Sequence, residues 1–176
     1  MTNDFETGTR KVIPAVLLYA FFDHQLLMIH RNMKANDFHE GKWNGLGGKL
    51  EAGESFTHAA VREFLEESGV VTQTDEWHWL GQLHFPNFKP SRSEDWWVNV
   101  FFVQLSEEQA ALVKSEKSNS EGTLHWIPVD QILSLNLWDG DRYFLPYVLE
   151  RKPFQGTFIY ENGSCVRHEI TAIQTR

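Results

Sequence analysis

The chain has 176 residues, 41% of them apolar and 23% charged, which suits one domain with a buried core and an ordinary globular surface. A formal net charge of −8 argues against non-specific binding to nucleic-acid polymers, which takes clustered Lys and Arg. It leaves small phosphorylated ligands open, because a divalent cation reverses the local sign.

The predicted elements follow in chain order. VIPAVLLYAFF (12–22) and QLLMIHR (25–31) read as a hairpin around Asp23-His24. The first run is far too short to cross a bilayer, and MTNDFETGTRK at the start has no signal-peptide core. With Cys165 the single cysteine, no internal disulfide forms, and a cytoplasmic protein without a membrane segment is expected. A loop rich in Gly, Asn and charge, NMKANDFHEGKWNGLGGK, precedes a helix capped by Ser55 or Thr57 and stopped at Gly69. EWHWLGQLHF and WWVNVFFVQL read as strands, with Trp77, Trp79, Trp96 and Trp97 as sheet residues rather than ligand contacts. SEEQAALVK suggests a short helix, KSEKSNSEG a polar loop, and TLHWIPV a strand. GDRYFLPYVLER has helical spacing disturbed by Pro146, and GTFIYENGSCVRHEI alternates around Asn162-Gly163 as a hairpin. Strands dominate, so the fold class is α/β or α+β: a mixed sheet with helices packed on it. The histidines show no zinc-type spacing.

The helix carries the unusual feature. With Glu63 at zero on a helical wheel, Glu66 and Glu67 fall within about 60° of it, while Val61, Phe64 and Leu65 fall on the far side and are expected to face the core. A polar stripe of one sign costs a few tenths of a kcal/mol per like-charged i,i+4 pair. On spacing alone two readings stand: a solvated acidic face, or hard oxygen ligands that collect around Mg²⁺ or Mn²⁺. GLGG (45–48) just upstream reads either as a turn or as backbone bared for close approach to a metal or phosphate.

The order of these residues is more specific than any one of them. Gly48, five residues, Glu54, seven residues, Arg62-Glu63, apolar Phe64, one residue, Glu66-Glu67, one residue, Gly69 and apolar Val70 together resemble the Nudix box of the Nudix hydrolases. Phe64 departs from the usual Ile, Leu or Val but is still apolar. The resemblance implies a Nudix fold, a mixed sheet between helices with the box as loop-helix-loop, over a single domain, 1–176. It implies an enzyme that splits a nucleoside diphosphate linked to another group. It implies that the Gly47 carbonyl, Glu63, Glu66 and Glu67 hold Mg²⁺, with Mn²⁺ able to substitute, and that Glu54 and Arg62 pair structurally to orient Glu63.

FHEGKWNGLGGK, WIPVDQI and LWDGDRYFLPYVLERKPFQGTF extend the resemblance to the MutT-type branch that acts on oxidised purine nucleoside triphosphates. By that similarity Lys34, Phe38, Asn44, Gly48, Lys49, Trp138 and Asp141 are substrate-binding residues, with Trp138 stacking on the purine and Asn44 and Asp141 at its edge. Glu121 matches a carboxylate outside the box that assists the metal or acts as base. Gly140 stands where the branch carries a second aspartate, with Asp139 one step earlier, so a narrower base preference is expected. Each residue has a plainer reading: Trp138 as core anchor, Asn44 as turn residue, Asp141 as helix cap, Glu121 as a solvated loop carboxylate. The implied reaction is Mg²⁺-dependent conversion of a purine nucleoside triphosphate such as (8-oxo-)dGTP to monophosphate and pyrophosphate. A nucleoside diphosphate sugar or an RNA 5′-triphosphate end is the alternative substrate, and a non-catalytic nucleotide-sensing module the alternative class.

Overall fold

The computed structural model describes residues 9–32, 41–114 and 122–174. Among the described residues, eight strands form one mixed sheet: β1 (Lys11–Phe22), β2 (Gln25–His30), β3 (Trp43–Asn44), β4 (His78–Lys89), β5 (Glu94–Gln104), β6 (Thr123–Pro128), β7 (Phe154–Glu161) and β8 (Ser164–Ala172). Their order is β3-β2-β1-β5-β4-β7-β8, with β6 also paired to β2. β1 runs parallel to β5 and β4 parallel to β7; the remaining pairs are antiparallel. Asp23 and His24 take left-handed φ at the β1–β2 turn, as do Asn162 and Gly163 at the β7–β8 turn, which suits two-residue hairpin loops.

Among the described residues, three α-helices cover the sheet. α1 (Phe56–Ser68) and α2 (Glu107–Leu112) close the core around Leu18, Phe64, Trp77 and Phe101 on one face. α3 (Asp141–Leu149) closes the other, around Tyr19, Leu83, Phe144 and Phe158. The sandwich read from the sequence is therefore observed. Ser55 caps α1 by accepting the His58 N–H, and Gly69 ends it at φ 76°.

One expectation for α1 fails. Leu65 is 42% exposed, whereas Ala59, Ala60, Phe64 and Ser68 are buried. The buried face is centred on Phe64, and Leu65, about 100° further round, turns outward. This rotation leaves Glu67 on the flank of the core and Glu66 in solvent.

Candidate active site

The glycine segment before α1 is a pseudo-strand laid along β1. Leu18 N–H donates to Leu46 O at 2.8 Å, Leu46 N–H to Leu18 O at 3.1 Å, and Val16 N–H to Gly48 O at 2.8 Å. A Cβ at Gly47 (φ 131°) would lie 2.2 Å from Val16 O, so only glycine lets the two backbones approach this closely. Alternation along the segment turns the Gly47 N–H away from β1, and it donates to Glu67 Oε2 at 2.8 Å. A Cβ at Gly48 would lie 2.4 Å from Glu63 Oε1, so the Glu63 carboxylate sits directly against the bare backbone.

Arg62 organises this end. Its Nε and Nη2 donate to the two Glu54 oxygens, both at 2.9 Å, its Nη1 to Glu63 Oε1 at 2.9 Å, and its Nη2 also to Lys49 O at 3.0 Å. Such a fork holds a carboxylate in one orientation as a point charge cannot. The Arg62 hydrogen bonds hold Glu54 below the usual carboxylate range. Glu66 stays exposed, with one oxygen 3.6 Å from Arg62 Nη1. Glu63 and Glu67 thus converge on Gly47-Gly48, and Glu66 stands outside. Among the described residues, no three His, Cys, Asp or Glu side chains form a closed metal-holding cluster. The donor set is nonetheless of the hard-oxygen kind that Mg²⁺ takes, and among the described residues no donor takes the Gly47 carbonyl.

A cavity of about 670 Å³ opens from this segment, lined at one end by Gly47, Gly48 and Glu67 and at the other by Asn44, Trp138 and Asp141. Among the described residues the Asn44 Oδ1, buried there, has no hydrogen-bond partner. Burial lifts the Asp141 carboxyl to about 7, with Lys42 nearby pulling it back down. Trp138 lies under the Lys42 ammonium, 5.2 Å from the ring centre, and meets Tyr160 edge-on at 6.4 Å. Lys42 is anchored on Asn136 Oδ1 (3.1 Å) and Leu137 O (2.9 Å). Gly140 is the N-cap of α3, so Asp141 is its first helical residue and does not hold the cap position.

Four of the seven substrate-binding candidates fall in the described residues beside this cavity as lining: Asn44, Gly48, Trp138 and Asp141. Lys49 is exposed, its ammonium 5.1 Å from the Trp96 ring centre. Lys34, Phe38 and Glu121 lie outside the described residues. Several lining residues were not singled out from the sequence: Arg31 at the end of β2, Phe85, Phe88, Trp96 and Tyr160. Trp96 was read as a sheet residue, and it is one, yet it also walls the cavity. Its neighbour Trp97 points to the other face and stacks on His84 at 4.2 Å. The turn carrying Phe88 is fixed by Asp95, which accepts from Arg10 Nε (2.9 Å) and from Asn87 N–H (2.6 Å).

A model of the NUDIX domain matches residues 11–148. The chain belongs to the Nudix family. This Nudix hydrolase is 32% identical over 143 residues to the oxidized purine nucleoside triphosphate hydrolase of Danio rerio, covering 81% of this chain and 85% of that protein. It is 33% identical over 134 residues to the protein of the same name from Mus musculus, covering 76% and 80%. Its fold is that of the MutT protein of Bacillus halodurans, with a TM-score of 0.73 at 24% identity over 90% of this chain and 97% of that one. No helix among the described residues is long and apolar enough to cross a membrane.

Proposed function

We propose that this Nudix hydrolase is a Mg²⁺-dependent pyrophosphohydrolase of purine nucleoside triphosphates, (8-oxo-)dGTP among them, releasing the monophosphate and pyrophosphate. The observation that carries the reading is the single cavity joining two chemically distinct ends. One end offers the Glu67 carboxylate and bare glycine backbone; the other offers the Asn44 amide oxygen, a carboxyl near neutral pKa and an indole. A nucleotide fits that polarity, phosphates toward Gly47-Gly48 and base toward Asn44 and Asp141. Its similarity to the zebrafish and mouse oxidized purine nucleoside triphosphate hydrolases supports the same reading.

In this reading Glu63, Glu67 and the Gly47 carbonyl would hold the ion, with the exposed Glu66 and, as the resemblance implies, Glu121 completing the set. When bound, the ion neutralises phosphate oxygens and makes a water easier to ionise. Arg62 keeps the Glu63 carboxylate aimed at the glycine segment. The Asn44 Oδ1 accepts from N–H groups of the base, and Asp141, while protonated, donates to a carbonyl. Trp138 supplies a face for stacking, which every base can use. The protein works on the small nucleotide, in the cytoplasm, without a polymer partner.

The test is steady-state hydrolysis of dGTP, 8-oxo-dGTP, dATP, 2-oxo-dATP and a nucleoside diphosphate sugar, comparing wild type with Asn44→Ala. Guanine nucleotides should lead, and Asn44→Ala should lower their specificity constants far more than it lowers those of adenine nucleotides. A sugar nucleotide outpacing every triphosphate would end this reading.

A further inference from the structure

Tyr160 sits on β7 where the pairing with β8 slips, between Ile159 and Tyr160. The extra residue, Val166, is on β8, so β7 keeps its alternation and Tyr160 faces the same side as Phe154 and Phe158. The side chain so placed lines the cavity, with its ring edge-on to Trp138 and Phe88 at centroid distances of 6.4 and 6.0 Å. Its hydroxyl oxygen accepts the Gly140 N–H at 2.8 Å.

Gly140 makes this placement possible. Its φ of −66° and ψ of −31° suit any residue, so its backbone does not call for glycine. Space does: a Cβ there would lie 2.5 Å from the Tyr160 hydroxyl and 3.0 Å from Phe158 Cδ1. The phenol therefore occupies the volume that a side chain at position 140 would take, next to the Asp141 carboxyl.

A phenol is both acceptor and donor. With the oxygen accepting from Gly140, the O–H remains to donate. Ionisation does not remove it near neutral pH, since burial and the adjacent Asp141 charge both push the phenol above its ordinary value.

We propose that Tyr160 is a specificity-determining residue, its O–H donating to an acceptor atom on the base of the bound nucleotide beside Asp141. The inference rests on the purine triphosphate reading above. The base edge then meets an amide acceptor from Asn44, a carboxyl from Asp141 and a permanent donor from Tyr160. A base that presents no acceptor to Tyr160 leaves a buried O–H unpaired and is rejected.

The experiment measures kcat/KM for dGTP and for analogues that each lose one acceptor, 7-deaza-dGTP (N7), 3-deaza-dGTP (N3) and 2-aminopurine deoxyribonucleoside triphosphate (O6, with N1 turned from donor to acceptor), in wild type and Tyr160→Phe. In wild type one analogue should fall below dGTP by roughly five- to tenfold, the scale of one neutral hydrogen bond. Tyr160→Phe should lower dGTP by a similar factor and cease to tell that analogue from dGTP, while its ratios for the other analogues stay put. Gly140→Ala, which displaces the phenol by contact, should reproduce the loss in the wild-type background and add little on top of Tyr160→Phe. A uniform fall across all substrates would make Tyr160 a packing residue and overturn the inference, as would unchanged ratios. No hydrolysis of any purine triphosphate by wild type would instead overturn the functional reading beneath it.

Discussion

Arg62→Ala removes a cation that three box carboxylates share. Glu54 and Glu63 retain only 13% and 14% side-chain exposure, and Arg62 23%, so the pairs are neither solvent-screened nor fully dry. Exposed pairs are worth ~0–1 kcal/mol, and stripping one partner from a buried pair costs ~3–5 kcal/mol. An intermediate loss of about 2–3 kcal/mol follows, a large share of the ~5–15 kcal/mol that holds a domain together. In a domain of this size it lowers Tm by roughly 5–10 °C. Arg62→Lys keeps a charge but not the fork, and should lose about half as much. Urea unfolding followed by tryptophan fluorescence measures both. The pH dependence adds a signature. Glu54 is held below its ordinary value by Arg62, so its stabilisation is present above about 4.5 and is lost as pH falls through the lower folded value. The gap between wild type and Arg62→Ala should therefore narrow on acidification below that point. An Arg62→Ala protein within 0.5 kcal/mol of wild type at pH 7 would mean that the carboxylates do not depend on Arg62.

Other expectations are separable from this one. Glu67→Gln should cut turnover by orders of magnitude. Relief of i,i+4 repulsion with Glu63 would raise its metal-free stability by a few tenths of a kcal/mol. The Gly47 N–H bond then loses its charged acceptor at a cost of ~1 kcal/mol, so urea curves should show a small net loss. Asp141, with its carboxyl lifted to about 7, donates below that pH and not above it, so guanine-over-adenine selectivity should decline as pH rises through 7. Asp141→Asn, which keeps an N–H donor at every pH, should flatten that profile of kcat/KM ratios. Trp138→Ala should weaken all bases alike, by ~1–3 kcal/mol in apparent binding free energy, read as a rise in KM with base ratios unchanged.

The box was legible because its chemistry is local. Ser55 and Gly69 mark the two ends of α1, and Glu54, Arg62 and Glu63 meet across a single loop and helix turn. The sheet was legible too, since alternation and the Asn162-Gly163 turn specify strands without tertiary help. What escaped depends on which face a residue takes. Trp96 and Trp97 are equivalent in composition, but the strand period sends one into the cavity and the other onto His84. Leu65 looked like core on a wheel referred to the glutamates; burial is centred on Phe64 instead. Tyr160 keeps the alternation of Phe154 and Phe158, so its face was legible, but the space it fills is opened by Gly140, 20 residues away, which no local pattern shows. Arg31, a lone basic residue after MIH, carried no spacing signal either.

The central claim is a metal-dependent nucleotide hydrolase whose two cavity ends act on one molecule. Its most direct test is quantification of nucleoside monophosphate and pyrophosphate from 8-oxo-dGTP or dGTP, with Mg²⁺ and with excess chelator, in wild type and Glu67→Gln. Wild type with Mg²⁺ should give equimolar monophosphate and pyrophosphate, and almost none should form with chelator or from the variant. Full hydrolysis in chelator, or release of inorganic phosphate in place of pyrophosphate, would contradict it.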